Sequence, residues 1–152
     1  MVETELTLKA FACAKEHFAG KIDECGKPVM DRLLCVAERM DDEVTTCAAF
    51  LQDVVSDSII DSAKLLADYP RIIADLAYSV HFDAELFFDY LDDPYDVFIR
   101  GVITNKYAKK VVLEDLRYRV DLKNYAELTA SLSNRIQVYK KAINHIENSK
   151  EK

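Results

Sequence analysis

The sequence predicts a single all-α domain. Three glycines and three prolines in 152 residues leave few positions for the tight turns that β-hairpins need. No long stretch alternates strictly between apolar and polar residues, as a half-buried strand would. Half of the residues are hydrophobic, which is enough for one core in a chain of this length. We therefore expect residues 1–152 to form one compact domain of packed helices.

Apolar residues recur at helical spacing in successive stretches, bounded by residues that begin or end helices. The first stretch ends at Ala19-Gly20, and the second begins at Pro28, which suits the first turn of a helix. Tyr69-Pro70 separates two further stretches. The predicted helices are Glu5–Phe18, Pro28–Met40, a third that starts at the acidic Asp41–Glu43 and includes Cys47–Ser58, then Ile60–Ala67, Ile72–Val80, Tyr95–Ile103, Lys106 to about Leu122, and about Ala126 to Asn148.

Two of these helices have a marked apolar stripe that should face the core. In the first helix the stripe includes Leu8, Phe11 and Phe18. In the last helix it consists of Leu132, Ile136, Tyr139, Ile143 and Ile146. The conformation of residues 81–93 is left open, because this segment is rich in aromatic residues and ends in the break Asp92-Asp93-Pro94.

The charge of the chain limits its partners. The formal net charge is −7 and the sequence pI is near 5.0, so the protein should repel nucleic-acid backbones and anionic membranes. No apolar run is long enough to span a bilayer, and the acidic N-terminal residues do not have the pattern of a signal peptide. We therefore expect a cytoplasmic protein without a nucleic-acid or membrane partner.

The four cysteines do not form a recognisable metal site. Cys13, Cys25, Cys35 and Cys47 are separated from one another by nine or more residues, so no Cys-x-x-Cys pair or zinc-finger spacing occurs. They are expected to be reduced thiols.

The segment Cys47–Ser58 combines an apolar helical pattern with two acidic residues. Asp53 and Asp57 are four positions apart, which would place them on one face of a continuous helix. Two carboxylates beside an apolar seam are either a solvated helix face or part of an active site. The segment by itself favours the solvated face.

Three segments together resemble the small RelA/SpoT-type HD-domain phosphohydrolases. They are Phe18–Pro28, Leu51–Ser58 and Ala108–Leu116, and their order and spacing extend the similarity over nearly the whole chain. The resemblance implies the compact multi-helix HD-domain fold. Members of that family hold a divalent metal, commonly manganese, with a histidine after a Gly-x-Pro loop, an adjacent His-Asp pair and a distal aspartate. They hydrolyse a pyrophosphate ester of a nucleotide such as (p)ppGpp.

The resemblance places the four metal-ligand positions on Arg32, Gln52, Asp53 and Asp115. Both family histidines are therefore replaced. A guanidinium is permanently charged and has no lone pair to donate, so Arg32 cannot be a ligand, and Gln52 offers only a weak carbonyl oxygen. We expect no bound metal, and we expect Arg32 to bridge Asp53 and Asp115 instead.

Other family positions have also changed. The pair that assists the attacking water corresponds to Ser56 and Asp57, so no catalytic residues are expected. The asparagine after the distal aspartate corresponds to Arg119. The basic pair before the Gly-x-Pro loop corresponds to Asp23 and Glu24, or to Glu24 and Cys25. Candidates for a ligand pocket are Lys27, Arg32 and Arg119.

Histidines and aromatic residues outside these motifs have simpler interpretations. His17 and His145 are expected at the surface. His81 falls where the resembled family often carries a histidine after a helix, but a lone histidine beside aromatic neighbours is more often a packing residue than a ligand. A further aromatic set either belongs to the core or forms the wall of a base-binding pocket, and the core is favoured. This set consists of Tyr90, Tyr95, Phe98 and Tyr107.

Two functions remain open. The favoured one is a pseudoenzyme without a cofactor that binds a nucleotide-like small molecule or a protein partner. The alternative is an active phosphohydrolase of nucleotide pyrophosphates with an oxygen-only site for Mn or Mg, built from Asp53, Asp57, Glu114 and Asp115. Arg32 disfavours this alternative because its charge would lie close to the cation. The sequence does not predict the oligomeric state.

Overall fold

The computed structural model of the chain describes residues 1–57, 62–82 and 94–149. In these ranges the backbone forms eight α-helices and two short 3-10 turns, and no strand is present. The helices are α1 (Glu5–His17), α2 (Val29–Glu38), α3 (Glu43–Leu51), α4 (Ser62–Asp68), α5 (Arg71–Val80), α6 (Pro94–Val102), α7 (Lys106–Val120) and α8 (Ala130–Glu147). The 3-10 turns are Val54–Asp57 and Leu122–Asn124. The predicted all-α fold is confirmed.

Helix α3 lies at the centre of the fold. It packs against α1, α2, α5 and α7, and every residue from Thr45 to Leu51 is buried. A helix that is buried all round must be apolar all round, and its run of alanine, phenylalanine and leucine meets that requirement. Phe50 makes an edge-on contact with Phe11 of α1, with ring centroids 5.4 Å apart. The turn that follows α3 brings Asp53 into contact with Arg32 of α2, which also contacts Asp115 of α7.

Local capping explains several helix boundaries. The Asp42 side chain accepts a hydrogen bond from the backbone N–H of Thr45, 2.7 Å away, and so caps the first turn of α3. Thr4, Asn105 and Thr129 cap α1, α7 and α8 in the same way. Each cap satisfies backbone donors that have no partner within the helix.

The prediction of one continuous helix through Cys47–Ser58 is wrong. Helix α3 ends at Leu51, and the chain turns at Gln52 and Asp53 before the 3-10 turn Val54–Asp57. Asp53 and Asp57 therefore do not share one face of an α-helix. The two adjacent β-branched residues, Val54 and Val55, weaken the helix locally, and the buried contact of Asp53 with Arg32 stabilises the turned conformation.

Two further expectations need correction. Leu8 is 58% exposed, because α1 turns Thr7, Ala10 and Ala14 towards the core rather than the face that carries Leu8. The last helix begins at Ala130 and not near Ala126, since the preceding segment returns to the α1–α2 loop. Its predicted stripe is largely confirmed: Ile136, Tyr139 and Ile146 are buried, Ile143 packs against the core, and Leu132 is half-buried. Most of the segment 81–93, whose conformation was left open, lies outside the described residues.

None of the described helices combines the length and the apolar character that crossing a membrane requires.

Candidate functional site

Arg32 is the centre of a buried charge cluster. It lies in the first turns of α2, and its side chain is only 3% exposed. Its Nε donates to Asp23 Oδ2 at 2.5 Å, its Nη1 donates to Asp115 Oδ1 at 2.5 Å, and its Nη2 donates to Asp53 Oδ2. The three carboxylates come from the α1–α2 loop, from helix α7 and from the turn after α3. The contact of Arg32 with Asp53 and Asp115, expected from the sequence, is present, and Asp23 is an additional partner.

A second group of charges extends the cluster through Arg119, one turn after Asp115 on α7. Arg119 Nε donates to Asp115 Oδ2 at 2.8 Å, and Arg119 Nη1 donates to Glu24 Oε1 at 2.5 Å. Glu24 also accepts from Arg135 Nη1 at 2.8 Å and from the Tyr139 hydroxyl at 2.9 Å, both on α8. The α1–α2 loop, α2, α7 and α8 are therefore joined by one continuous network of charged groups.

The α1–α2 loop holds Asp23 and Glu24 in place. Ile22 and Pro28 form an antiparallel bridge, and the N–H of Asp23 donates to the carbonyl of Lys27 at 2.8 Å. Gly26 has a φ of +77°, in the left-handed region that glycine adopts at little cost. A Cβ at this position would also lie only 2.9 Å from the Cβ of Ala126.

The segment before α8 is attached to the same loop. The N–H of Ala126 donates to the carbonyl of Cys25 at 2.8 Å. The Nζ of Lys27 donates to the carbonyl of Lys123 at 2.9 Å. Both contacts fix the loop, and with it the two acidic side chains, against the C-terminal part of the chain.

The arrangement favours the ionised form of Asp53, Asp115 and Glu24. Burial by itself would raise the pKa of Asp53, but Arg32, the nearby His81 and Arg119 outweigh it, so this pKa lies well below its ordinary value. Burial likewise opposes ionisation of Asp115, and Arg119 and Arg32 hold its pKa below the usual range. The pKa of Glu24 is also lowered, because Arg119 and the hydrogen bonds from Arg135 and Tyr139 overcome its burial.

The donor set does not fit the divalent metal that the resemblance implies. Asp53 and Asp115 each accept a hydrogen bond from Arg32, so both carboxylates are already paired with a positive charge. Gln52 is buried, and its Nε2 donates to the carbonyl of Ala49 at 3.1 Å. Within the ranges that the structure describes, no three His, Cys, Asp or Glu side chains are grouped so that they could hold a metal ion.

Within the residues that the structure describes, the acidic residues of the alternative metal site do not form a group. Glu114 accepts a hydrogen bond from Arg117 Nη1 at 2.6 Å, in an ion pair on the outside of α7. Ser56 and Asp57 end the 3-10 turn, and their side chains lie outside the described part of the structure. Of the four proposed ligands, Asp53 and Asp115 are the pair whose proximity is established.

A cleft lies beside the cluster, and its cavity volume is about 50 Å³. Its polar lining includes Gln52, Asp53, Asp115 and Arg119, and its apolar wall includes the aromatic rings of Phe82, Tyr95, Phe98 and Tyr139. Pockets for drug-sized ligands usually measure about 300–1,000 Å³. The space formed by the described residues is therefore much smaller than a nucleotide requires.

The three ligand-pocket candidates have different positions relative to this cleft. Arg119 lines it. Arg32 lies behind Asp53 and Asp115 and is almost fully buried. Lys27 is not part of the lining, and its side chain is directed to Lys123.

The remaining histidines and aromatic residues lie largely where the sequence indicated. His145 is exposed, and His17 is half-buried beside the ring of Phe18. His81 Nδ1 lies 3.7 Å from Asp53 Oδ1, so His81 borders the charge cluster instead of only packing. Tyr95 belongs to the core, Phe98 is half-buried and packs against it, and both line the cleft. Tyr90 lies outside the described residues. Tyr107 is half-buried and packs against the core.

Sequence reasoning did not assign Arg135 and Tyr139 to the site. They are four residues apart on α8, so their side chains lie on the same helix face. An arginine beside a predicted buried stripe was a signal that could have been used, because a cation next to the core needs an acidic partner. The partner is Glu24, which is 111 residues away from Arg135 in the sequence.

Comparison with known proteins supports the fold. No family model matches the chain, and no curated protein matches it. Among solved structures, the chain is similar to a metazoan ortholog of SpoT that is described as hydrolysing ppGpp and having a role in starvation responses. The TM-score is 0.76 at 17% sequence identity, and the match covers 98% of this chain and 89% of that one. The predicted resemblance to the RelA/SpoT-type HD-domain proteins is therefore confirmed for the fold.

Proposed function

We propose that this chain is a catalytically degenerate HD-fold protein: a pseudoenzyme that does not hydrolyse nucleotide pyrophosphates and that binds a small molecule or a protein partner. The observation that carries the proposal is the contact of Arg32 with both Asp53 and Asp115. These are the two acidic positions that correspond to family metal ligands. We place the protein in the cytoplasm, where its four unpaired cysteines would stay reduced.

The chemistry of the guanidinium supports the loss of hydrolysis. A metal ion in such a site binds through lone pairs of nitrogen and oxygen, and Arg32 supplies none. Its fixed positive charge also repels a cation at the same position. Without a metal, the protein lacks the usual means of generating hydroxide near neutral pH.

Displacing Arg32 to admit a metal would be costly. Its side chain is almost completely buried and donates to three carboxylates. Breaking a buried ion pair typically costs about 3–5 kcal/mol, because it leaves an uncompensated charge in the interior. A metal would have to offset this cost before it contributed any net binding energy.

The alternative of an oxygen-only metal site receives less support. It requires Glu114 beside Asp53 and Asp115, and Glu114 is paired with Arg117 instead. We therefore propose no activity that depends on this site. Purification with stoichiometric magnesium or manganese would restore this alternative.

Three measurements on the purified protein test the proposal. Elemental analysis should find no stoichiometric manganese, iron, zinc or magnesium, and micromolar manganese should leave Tm unchanged, because a metal that binds the folded state raises Tm. Incubation with (p)ppGpp and manganese should release no pyrophosphate. The SpoT ortholog of the comparison, assayed in parallel, is the positive control. Turnover of (p)ppGpp at an ordinary enzymatic rate would overturn the proposal.

A further inference from the structure

Glu24 is bound by three donors from two helices. Arg119 Nη1 of α7 and the Tyr139 hydroxyl of α8 donate to its Oε1, at 2.5 and 2.9 Å. Arg135 Nη1 of α8 donates to its Oε2 at 2.8 Å. The Glu24 side chain is only 12% exposed, so the carboxylate is enclosed by these donors.

The three donors have the composition of an oxyanion-binding site. Two guanidiniums and a phenol hydroxyl converge on one anionic group, and guanidinium geometry suits carboxylate and phosphate oxygens alike. Two of the donor side chains are held from outside the loop that carries Glu24. Arg119 also donates to Asp115, and Tyr139 is 95% buried in the core. Arg119 and Tyr139 therefore do not depend on Glu24 for their place on the two helices.

We propose that Arg119, Arg135 and Tyr139, here called the oxyanion trio, form a binding site for a carboxylate or phosphate group, and that Glu24 occupies it as an internal ligand. Glu24 is then a specificity-determining residue. It excludes external oxyanions from the side of the cleft that Arg119 and Tyr139 line. This proposal adds to the proposed function and holds whether or not the chain hydrolyses nucleotides.

The α1–α2 loop makes Glu24 a strong competitor. A tethered group acts at an effective concentration of roughly millimolar or above, so a dissolved anion must exceed that concentration to displace it. Two contacts keep the loop in position. They are the backbone hydrogen bond from Ala126 to Cys25 and the close approach of Gly26 to Ala126. We therefore expect the native chain to have no measurable affinity for low millimolar phosphate or acetate.

Removing the internal ligand should expose the site. In Glu24→Ala, the two arginines and the tyrosine face a space of carboxylate size without an anion. Inorganic phosphate and acetate are titrated separately into this variant, with sodium chloride at equal ionic strength as the reference, and Tm is recorded. We expect a saturable rise in Tm of about 3 to 6 °C at an anion concentration ten times Kd. The unsubstituted chain should not show this rise.

Matched variants distinguish anion binding at the oxyanion trio from general salt effects. Phosphate stabilises many proteins through exclusion from their surface, and this effect should be equal in all variants. Glu114→Ala removes one of the two acidic partners of Arg117, a half-exposed arginine, and should gain no anion-specific response. Adding Arg135→Gln to Glu24→Ala should weaken the apparent anion affinity at least tenfold, since it removes one charged donor.

The response of Glu24→Ala to each anion decides whether the proposal holds. A stronger response to phosphate than to acetate assigns the site to phosphate-bearing ligands, and the reverse assigns it to carboxylates. If Glu24→Ala is unfolded in chloride, refolding by low millimolar phosphate or acetate, followed by circular dichroism, supports the proposal. A folded Glu24→Ala that responds no more than Glu114→Ala, or an unfolded one that neither anion refolds, overturns it.

Discussion

Arg32→Ala tests the central feature of the site, because it removes one guanidinium from three carboxylates. Arg32 is 3% exposed, and Asp23, Asp53 and Asp115 are 7%, 21% and 13% exposed, so water compensates little for its loss. Breaking such a buried cluster should lower the free energy of unfolding by about 3–5 kcal/mol. For a domain of this size, that corresponds to a fall in Tm of about 6 to 20 °C.

The assay is urea unfolding followed by circular dichroism, with Arg117→Ala as the control. Arg117 forms ion pairs with Glu114 and Glu147 but is 48% exposed, so its removal should cost about 1 kcal/mol or less. A double variant, Arg32→Ala with Asp53→Asn, should recover part of the loss because one stranded negative charge is removed. Arg32→Lys should be intermediate, since an ammonium keeps the charge but lacks the planar fork that reaches three carboxylates.

The pH dependence of Arg32→Ala distinguishes a stranded charge from a simple cavity. In the native chain the pKa of Asp53 is lowered, so its contribution is present above about pH 4 and is lost as pH falls through the folded pKa. In Arg32→Ala, burial should raise the pKa of Asp53, so acidification from pH 7 to 5 should reduce the stability difference between the two proteins. A loss below 1 kcal/mol, or a difference that does not change with pH, would refute the role given to Arg32.

Three further predictions follow from the same contacts. Gly26→Ala should lower the free energy of unfolding in urea by about 1–3 kcal/mol, because the φ of Gly26 is +77° and an added Cβ would meet Ala126. The control Gly101→Ala in α6 has open space around its Cβ and should be neutral or stabilising. The stability of the native chain should be constant from pH 7 to 5 and should fall below about pH 4. The reason is that Asp115 and Glu24, whose pKa values are lowered, stabilise the fold only while they are ionised. A loss of stability already complete at pH 5 would contradict this. Thiol labelling at pH 8 should be slow at Cys47, whose pKa burial raises to about 12, and rapid labelling without denaturant would contradict the buried position.

The sequence was sufficient for the fold class and for most helix boundaries, because these depend on local signals. Prolines 28 and 70 directly precede α2 and α5, and Asp42 caps α3. The contact of Arg32 with Asp53 and Asp115 could also be predicted. Resemblance placed the three residues at positions that meet in the HD-domain fold, and opposite charges at such positions form a pair.

The parts that could not be predicted depend on contacts between distant residues. The end of α3 at Leu51 reflects the buried contact of Asp53 with Arg32, and no local sequence signal is strong enough to specify it. The role of Glu24 depends on Tyr139, which is 115 residues away. Single-sequence periodicity identifies the buried face of α8, but it does not identify which loop supplies the acid that Arg135 requires.

The charged residues of the site balance one another as a set. A divalent metal would supply two positive charges to Asp53 and Asp115, and here Arg32 and Arg119 supply two positive charges to the same aspartates. Because Arg32 and Arg119 already pair with these two aspartates, a basic pair in the α1–α2 loop would leave an excess of positive charge beside Arg119 and Arg135. The loop instead carries Asp23 and Glu24, which bind those arginines and Arg32. Replacing Arg32 and Gln52 by histidine should therefore not be enough to produce metal binding, because Arg119 would still bind Asp115 and because Asp23 would lose its partner.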